Sequence, residues 1–174
     1  MRTNSLDVSS WSVLERLLTP TNALVVEVML RTGLRVSDVL AVRTAQLKSR
    51  FTVSESKTGK CKRVYIGARL CDRLRAQAGT VYVFEHAKDP TKHRTRQAVW
   101  WDVKRAAKAM RIPLNIAPHS CRKSYAVDEY KKCADLQQVA KRLNHDRIET
   151  TVIYLLDMFG GQGGAPPFKI KAPL

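Results

Sequence analysis

Apolar residues recur along most of this chain at helical spacing, and in one place they alternate. Residues 9–18 (SSWSVLERLL) open on capping types and then place apolar side chains three and four apart, which predicts a helix ended by Pro20. Residues 22–32 (NALVVEVMLRT) are apolar nearly all round, as a buried helix would be, and Gly33 stops them. A short helix is expected over 36–42, with Ser37 or Asp38 near its start. The period then changes. Residues 51–54 and 62–66 read as two strands of a hairpin whose connection, Ser56-Lys57-Thr58-Gly59-Lys60, is basic. Helical spacing returns over 68–78, followed by an apolar run at 81–84 and a polar, basic loop at 86–94. A long basic helix is predicted over 95–110, with Val99, Trp100, Val103 and Ala107 inward. Pro118 suits the first turn of a helix to Cys133. A helix over 134–144 would turn Leu136, Val139, Ala140 and Leu143 inward, and a last short one spans 149–156. The outline is α+β and mainly helical, with a small antiparallel sheet near the N-terminal third and no internal repeats.

Composition adds a partner to this outline. The 174 residues are 44% hydrophobic, enough for a core, and no apolar run approaches the roughly 18 residues of a membrane span. The N-terminus lacks the apolar stretch of a signal peptide, so a soluble, cytoplasmic protein with no membrane partner is expected. Lys and Arg number 31 against 15 Asp and Glu, a net charge of +16. Such self-repulsion points to a polyanion, first nucleic acid and second an anionic membrane surface. The excess concentrates over 86–111, where Lys88, Lys92, Arg94, Arg96, Lys104, Arg105 and Lys108 are the candidates for contacts to a duplex backbone. The four cysteines form no CxxC pair and read as reduced thiols. His119, Cys121, Cys133 and His145 match no common zinc spacing, so no metal is expected.

Four clusters could carry chemistry. Arg35 follows a helix-ending glycine in Thr32-Gly33-Leu34-Arg35, at a corner from which it could reach a ligand. Lys57 sits at the hairpin tip, where a flexible ammonium could reach a DNA groove. His119 and Arg122 lie three apart at a helix start, sharing a face where backbone N–H groups favour phosphate. His145 ends one helix, and Tyr154 follows nine residues later inside an apolar run. Taken singly, these read as a capped surface arginine, a solvated turn lysine, a capping histidine and a core tyrosine.

Taken together, the order Arg, Lys, His-x-x-Arg, His, Tyr resembles the catalytic domain of the tyrosine recombinases, or phage-integrase family. Thr32-Gly33-Leu34-Arg35 resembles its T-G-x-R box, Ser56-Lys57-Thr58-Gly59 its hairpin lysine, and His119-x-x-Arg122, Leu143-Asn144-His145 and Thr150-x-x-x-Tyr154 its second box. The resemblance implies a site-specific recombinase that cleaves and rejoins DNA through a 3′-phosphotyrosine, without metal, cofactor or ATP. Tyr154 would be the nucleophile, Arg35 and Arg122 the phosphate clamp, Lys57 the general acid, and His119 and His145 aids to proton transfer. Asp38 stands where the family often has Glu and would orient the others. Cys121 stands at a position usually held by Leu, and Asn144 at one usually held by Gly. The implied partner is double-stranded DNA with specific recombination sites, gripped by a tetramer on paired segments, with a monomer as the expected free form. A bacterial or phage-encoded, nucleoid-associated protein is implied. The expected organisation is a catalytic domain over 1–156 and a flexible Gly/Pro-rich tail over 157–174. The family's usual N-terminal core-binding domain is expected to be absent, as in an excised fragment or a naturally minimal member. Type IB topoisomerases use a similar residue set, and a non-catalytic DNA-binding protein is a further alternative.

Overall fold

Asp7 starts the first helix by accepting hydrogen bonds from the Ser10 N–H (2.9 Å) and hydroxyl (2.6 Å), satisfying donors that have no partner within the helix. The computed structural model describes residues 3–159. From this start the chain runs through α1 (Val8–Leu17), α2 (Pro20–Thr32), α3 (Val36–Leu40), the hairpin β1 (Arg50–Ser54) and β2 (Cys61–Tyr65), and α4 (Ala68–Gln77). A second, small hairpin follows, β3 (Glu85–His86) and β4 (Asp89–His93), then α5 (Arg96–Ala109), α6 (Pro118–Cys133), α7 (Leu136–Arg142) and α8 (Ile148–Phe159). None of these helices is long and apolar enough to cross a membrane.

The strands β1 and β2 pair antiparallel from Arg50 opposite Tyr65 to Ser54 opposite Cys61. Their inward positions include Phe51, Val53 and Val64, which pack on the helices, as period-two alternation requires. Two apolar clusters result. The larger joins α1 to α5 with this hairpin and reaches Cys121 on α6. The smaller is built from the rest of α6 with α7 and α8, around Ala126, Val139, Leu143 and Leu155. Helix α6 therefore runs through both, and Trp11 of α1 ties itself to it by donating from Nε1 to Ser124 Oγ at 2.8 Å.

Several expectations need correction. The residues expected as a loop at 86–94 contain β4 and the end of β3; both strands are polar, β3 half-buried and β4 mostly exposed, so no apolar alternation betrays them. Trp100 does not face inward. Val99, Val103 and Ala106 set the buried stripe of α5, and Trp100 at its edge is 39% exposed, edge-on to Trp101 at 4.8 Å. Pro20 begins α2 rather than merely ending α1. Ala134, in a left-handed conformation (φ 51°), closes α6, and α7 starts afresh from the Asp135 cap. Helix α8 continues to Phe159, past the expected end at 156. The Gly/Pro-rich stretch expected as a tail lies, from Gly160 onward, outside the described residues.

Candidate active site

Gly33 ends α2 in a left-handed conformation (φ 65°), and a Cβ there would sit 2.4 Å from Tyr125 Cδ1, so only glycine fits. That turn delivers Arg35 to the start of α3. Its Nη1 donates to Glu55 Oε2 and lies 3.8 Å from Asp38 Oδ2. Asp38 is buried and accepts from the Ser56 N–H (2.9 Å) and hydroxyl (2.7 Å), fixing the residue that precedes Lys57. Lys57 itself is exposed at the turn. Lys60, beyond it, forms an ion pair with Asp146 of the α7–α8 connection.

The second half of the site comes from α6 to α8. Asn144 takes the left-handed conformation (φ 52°) that a glycine would supply, a role asparagine fills better than other residues, and the helix end expected from glycine is kept. His145 follows, with Nδ1 sharing a hydrogen bond of 2.9 Å with Thr151 Oγ1. One turn further along α8, the Tyr154 hydroxyl shares a hydrogen bond of 3.0 Å with His119 Nε2. The Tyr154 ring meets both histidines edge-on, at 5.3 Å from His119 and 5.1 Å from His145. These groups line one open cleft of about 300 Å³, together with Arg35, Lys57, Thr58, Asp146, Arg147 and Thr150.

Arg122 is placed differently from His119 despite sharing their helix. Its side chain is fully buried; Nη1 donates to the Gly33 carbonyl at 2.5 Å and Nη2 to the Leu143 carbonyl, while Nε has no hydrogen-bond partner. It thus satisfies two helix-end carbonyls, one at α2 and one at α7. Its guanidinium also reaches the Tyr154 hydroxyl, so its charge acts on the cleft although the side chain is buried. Burial raises the Tyr154 phenol above its ordinary range, and Arg122 and Arg35 offset only part of that rise. Burial and the same arginines lower His145 to about 3, and burial with Arg122 and Lys123 lowers His119 to about 4. Both imidazoles are therefore neutral at pH 7, able to accept a proton.

Sequence reasoning missed two buried charges. Glu55 extends the inward set of β1, and Lys62 occupies an inward position of β2, where its amine donates to the Thr32 carbonyl at 2.5 Å. A charged residue in register with apolar ones was the available signal. Of the basic residues expected on a duplex, Arg94 donates to Asn22 Oδ1 (2.7 Å), Lys104 to Asn115, and Arg105 to Asp102 and the Leu17 carbonyl. Lys92 pairs with Asp89 at 2.8 Å. Lys88, Arg96 and Lys108 are exposed. Cys121 is buried in the larger cluster, and among the described residues no three His, Cys, Asp or Glu side chains converge as metal ligands.

Residues 13–159 match the model of the phage integrase family. The tyrosine recombinase XerD of Ralstonia nicotianae is 33% identical over 141 residues, covering 74% of this chain and 46% of that protein. The chain thus spans a little under half the length of that relative. A lambda integrase dimer bound to a COC′ core site shares the fold with a TM-score of 0.76 at 17% identity, covering 98% of this chain and 64% of that one. A lambda integrase tetramer bound to a Holliday junction does so with a TM-score of 0.73 at 17% identity, over 88% and 48%.

Proposed function

From the premise that this chain belongs to the phage integrase family, we propose that it cleaves and rejoins DNA by transesterification at Tyr154. The observation that carries this is the Tyr154 hydroxyl, hydrogen-bonded to His119 Nε2 in a cleft that also presents Arg35, Lys57 and His145. A phosphodiester resists nucleophiles because its non-bridging oxygens are negative. Arg35 would meet those oxygens with planar paired donors, and Arg122, beside the Tyr154 hydroxyl, would complete the clamp. The phenol oxygen attacks phosphorus, its proton passing to His119. The bond to the 5′-oxygen breaks as Lys57 supplies that oxygen with a proton. The product is a 3′-phosphotyrosine and a free 5′-hydroxyl. Attack by a 5′-hydroxyl reverses the steps and reseals the strand, so the bond energy is conserved without ATP.

The substrate is double-stranded DNA carrying recombination sites, held through backbone contacts from Lys88, Arg96 and Lys108 that position without reading sequence. The family resemblance adds a tetramer on paired segments. The catalytic unit is residues 1–156 extended to the end of α8, in a cytoplasmic protein.

The test is a suicide duplex carrying candidate sites, followed by denaturing gel electrophoresis and mapping of the adduct. The parent should give a denaturant-stable adduct at Tyr154, unaffected by EDTA; Tyr154→Phe should bind the duplex and give none. An adduct with Tyr154→Phe would overturn the nucleophile. Activity lost in EDTA and restored by magnesium would point instead to a nuclease, and relaxation of supercoils without site preference to a topoisomerase.

A further inference from the structure

Glu55 is a carboxylate in an apolar register. Phe51 and Val53 precede it on the same face of the β1 strand, and all three are buried, Glu55 with no exposure at all. A carboxylate taken out of water requires partners. Its side chain has two, both on Oε2: Arg35 Nη1 and the Thr58 hydroxyl at 3.2 Å, while Oε1 has no hydrogen-bond partner. Its main chain closes the Lys57 turn. The Glu55 N–H donates to the Lys60 carbonyl at 2.9 Å, and its carbonyl accepts from the Gly59 N–H at 2.8 Å. One residue therefore grips the arginine with its side chain and shapes the lysine turn with its backbone.

Arg35 shows what this grip leaves free. Nη1 is engaged by Glu55 and approached by Asp38, while Arg35 lines the cleft and remains 22% exposed at its side chain. A guanidinium is a rigid plane, so holding one nitrogen aims the others. Asp38 cannot replace Glu55 here, because one of its oxygens is occupied by Ser56 and the other stands 3.8 Å from Arg35.

We propose that Glu55 is a positioning residue of the phosphate site, which sets Arg35 and Lys57 relative to one another through one ion pair and one turn. This rests on the transesterification reading above. The proposal has a distinctive sign. A negative charge beside a phosphate pocket weakens attraction for the phosphate, yet the orientation it imposes favours the transition state. Removing the charge while keeping the shape should therefore tighten binding and slow cleavage. A residue that only supports the fold would leave both unchanged, or weaken both together.

The experiment uses the full chain with Glu55→Gln, Arg35→Lys and the double variant. Affinity for an intact duplex is measured on a Tyr154→Phe background, and adduct formation on the suicide duplex. Glu55→Gln should bind equally or up to about fivefold tighter and form adduct at least about tenfold more slowly. On top of Arg35→Lys it should cost less than about twofold. Glu55→Gln cleaving within twofold of the parent, or an undiminished loss on top of Arg35→Lys, overturns the proposal. Should Glu55→Gln not fold, Glu55→Asp keeps the charge and shortens the reach; slower cleavage at unchanged affinity supports positioning, and an unchanged rate overturns it. A second arm needs no DNA cleavage. In the free chain, Arg35→Gln should shift the amide resonances of residues 57–60 in the parent but not in Glu55→Gln. Equal shifts in both backgrounds overturn the coupling, whereas a parent that makes no adduct overturns only the transesterification reading.

Discussion

Acid should loosen this protein through His145. The ring is partly buried, and burial opposes its protonation before any neighbour is counted. Arg122 from α6, Arg35 from the start of α3 and Lys62 from β2 then add positive charge around it. The folded value falls to about 3, against about 6.5 in the unfolded chain. Between those values the unfolded chain binds the proton and the folded one does not. Stability therefore falls as pH drops below about 6.5 and continues to fall until the folded ring titrates. From pH 7.5 to pH 5 the loss is RT ln(1 + 10^1.5), about 2 kcal/mol, and it is the same for any folded value well below 5. His119 adds in the same direction, more weakly because solvent reaches part of the residue and screens the charges around it. The assay is urea unfolding of the parent and of His145→Gln at both pH values, since glutamine can keep a hydrogen bond to Thr151. The parent should lose about 2 kcal/mol more than the variant between the two pH values. Equal losses would refute the reasoning. A phosphate in the cleft raises His145 by opposing those charges, so the duplex should protect the parent more at pH 5 than at pH 7.5.

Three further outcomes follow from the same geometry. Gly33→Ala should cost about 2 kcal/mol or more in urea unfolding, because the methyl meets the Tyr125 ring in a backbone conformation that alanine disfavours. Asp102→Ala should cost about 2–4 kcal/mol, because Asp102 accepts from the Thr19 N–H and hydroxyl and from the buried Asn22 amide. Burial would raise that carboxyl, but these hydrogen bonds outweigh it and hold it at about 2, so its contribution is present above about pH 4 and lost as pH falls towards 2. Replacing Lys88, Arg96 and Lys108 with Gln should reduce the slope of log affinity against log salt by up to about 3, measured by fluorescence anisotropy; an unchanged slope would remove that face from the interface.

Most elements were legible because their signals are local. Gly33, Pro118 and the alternation of residues 51–53 each mark a boundary without help from the rest of the chain. The strands β3 and β4 were not legible, since a short polar ribbon has no apolar side to report. In the site, residue order and motif identified the groups that line the cleft, and Arg35, Lys57, His119, His145 and Tyr154 do converge there. Sequence spacing could not tell that Arg122 is buried with its Nη groups on main-chain carbonyls while His119 meets the Tyr154 hydroxyl from the cleft. Shared helical face fixes direction only to within a turn, and the choice is made by two carbonyls, Gly33 and Leu143, that lie far from Arg122 in sequence. Glu55 was overlooked because alternation was read for its apolar members only.

The bridge that Arg122 makes between those carbonyls has a consequence for the safety of the DNA this chain would hold. Arg35 and Lys57 belong to the front of the molecule, while His145 and Tyr154 belong to the unit of α7 and α8, and Arg122 joins the two at their seam. On the transesterification reading, a copy whose rear unit has come away would keep Lys88, Arg96 and Lys108 but lose Tyr154. Such a copy would bind a duplex without nicking it.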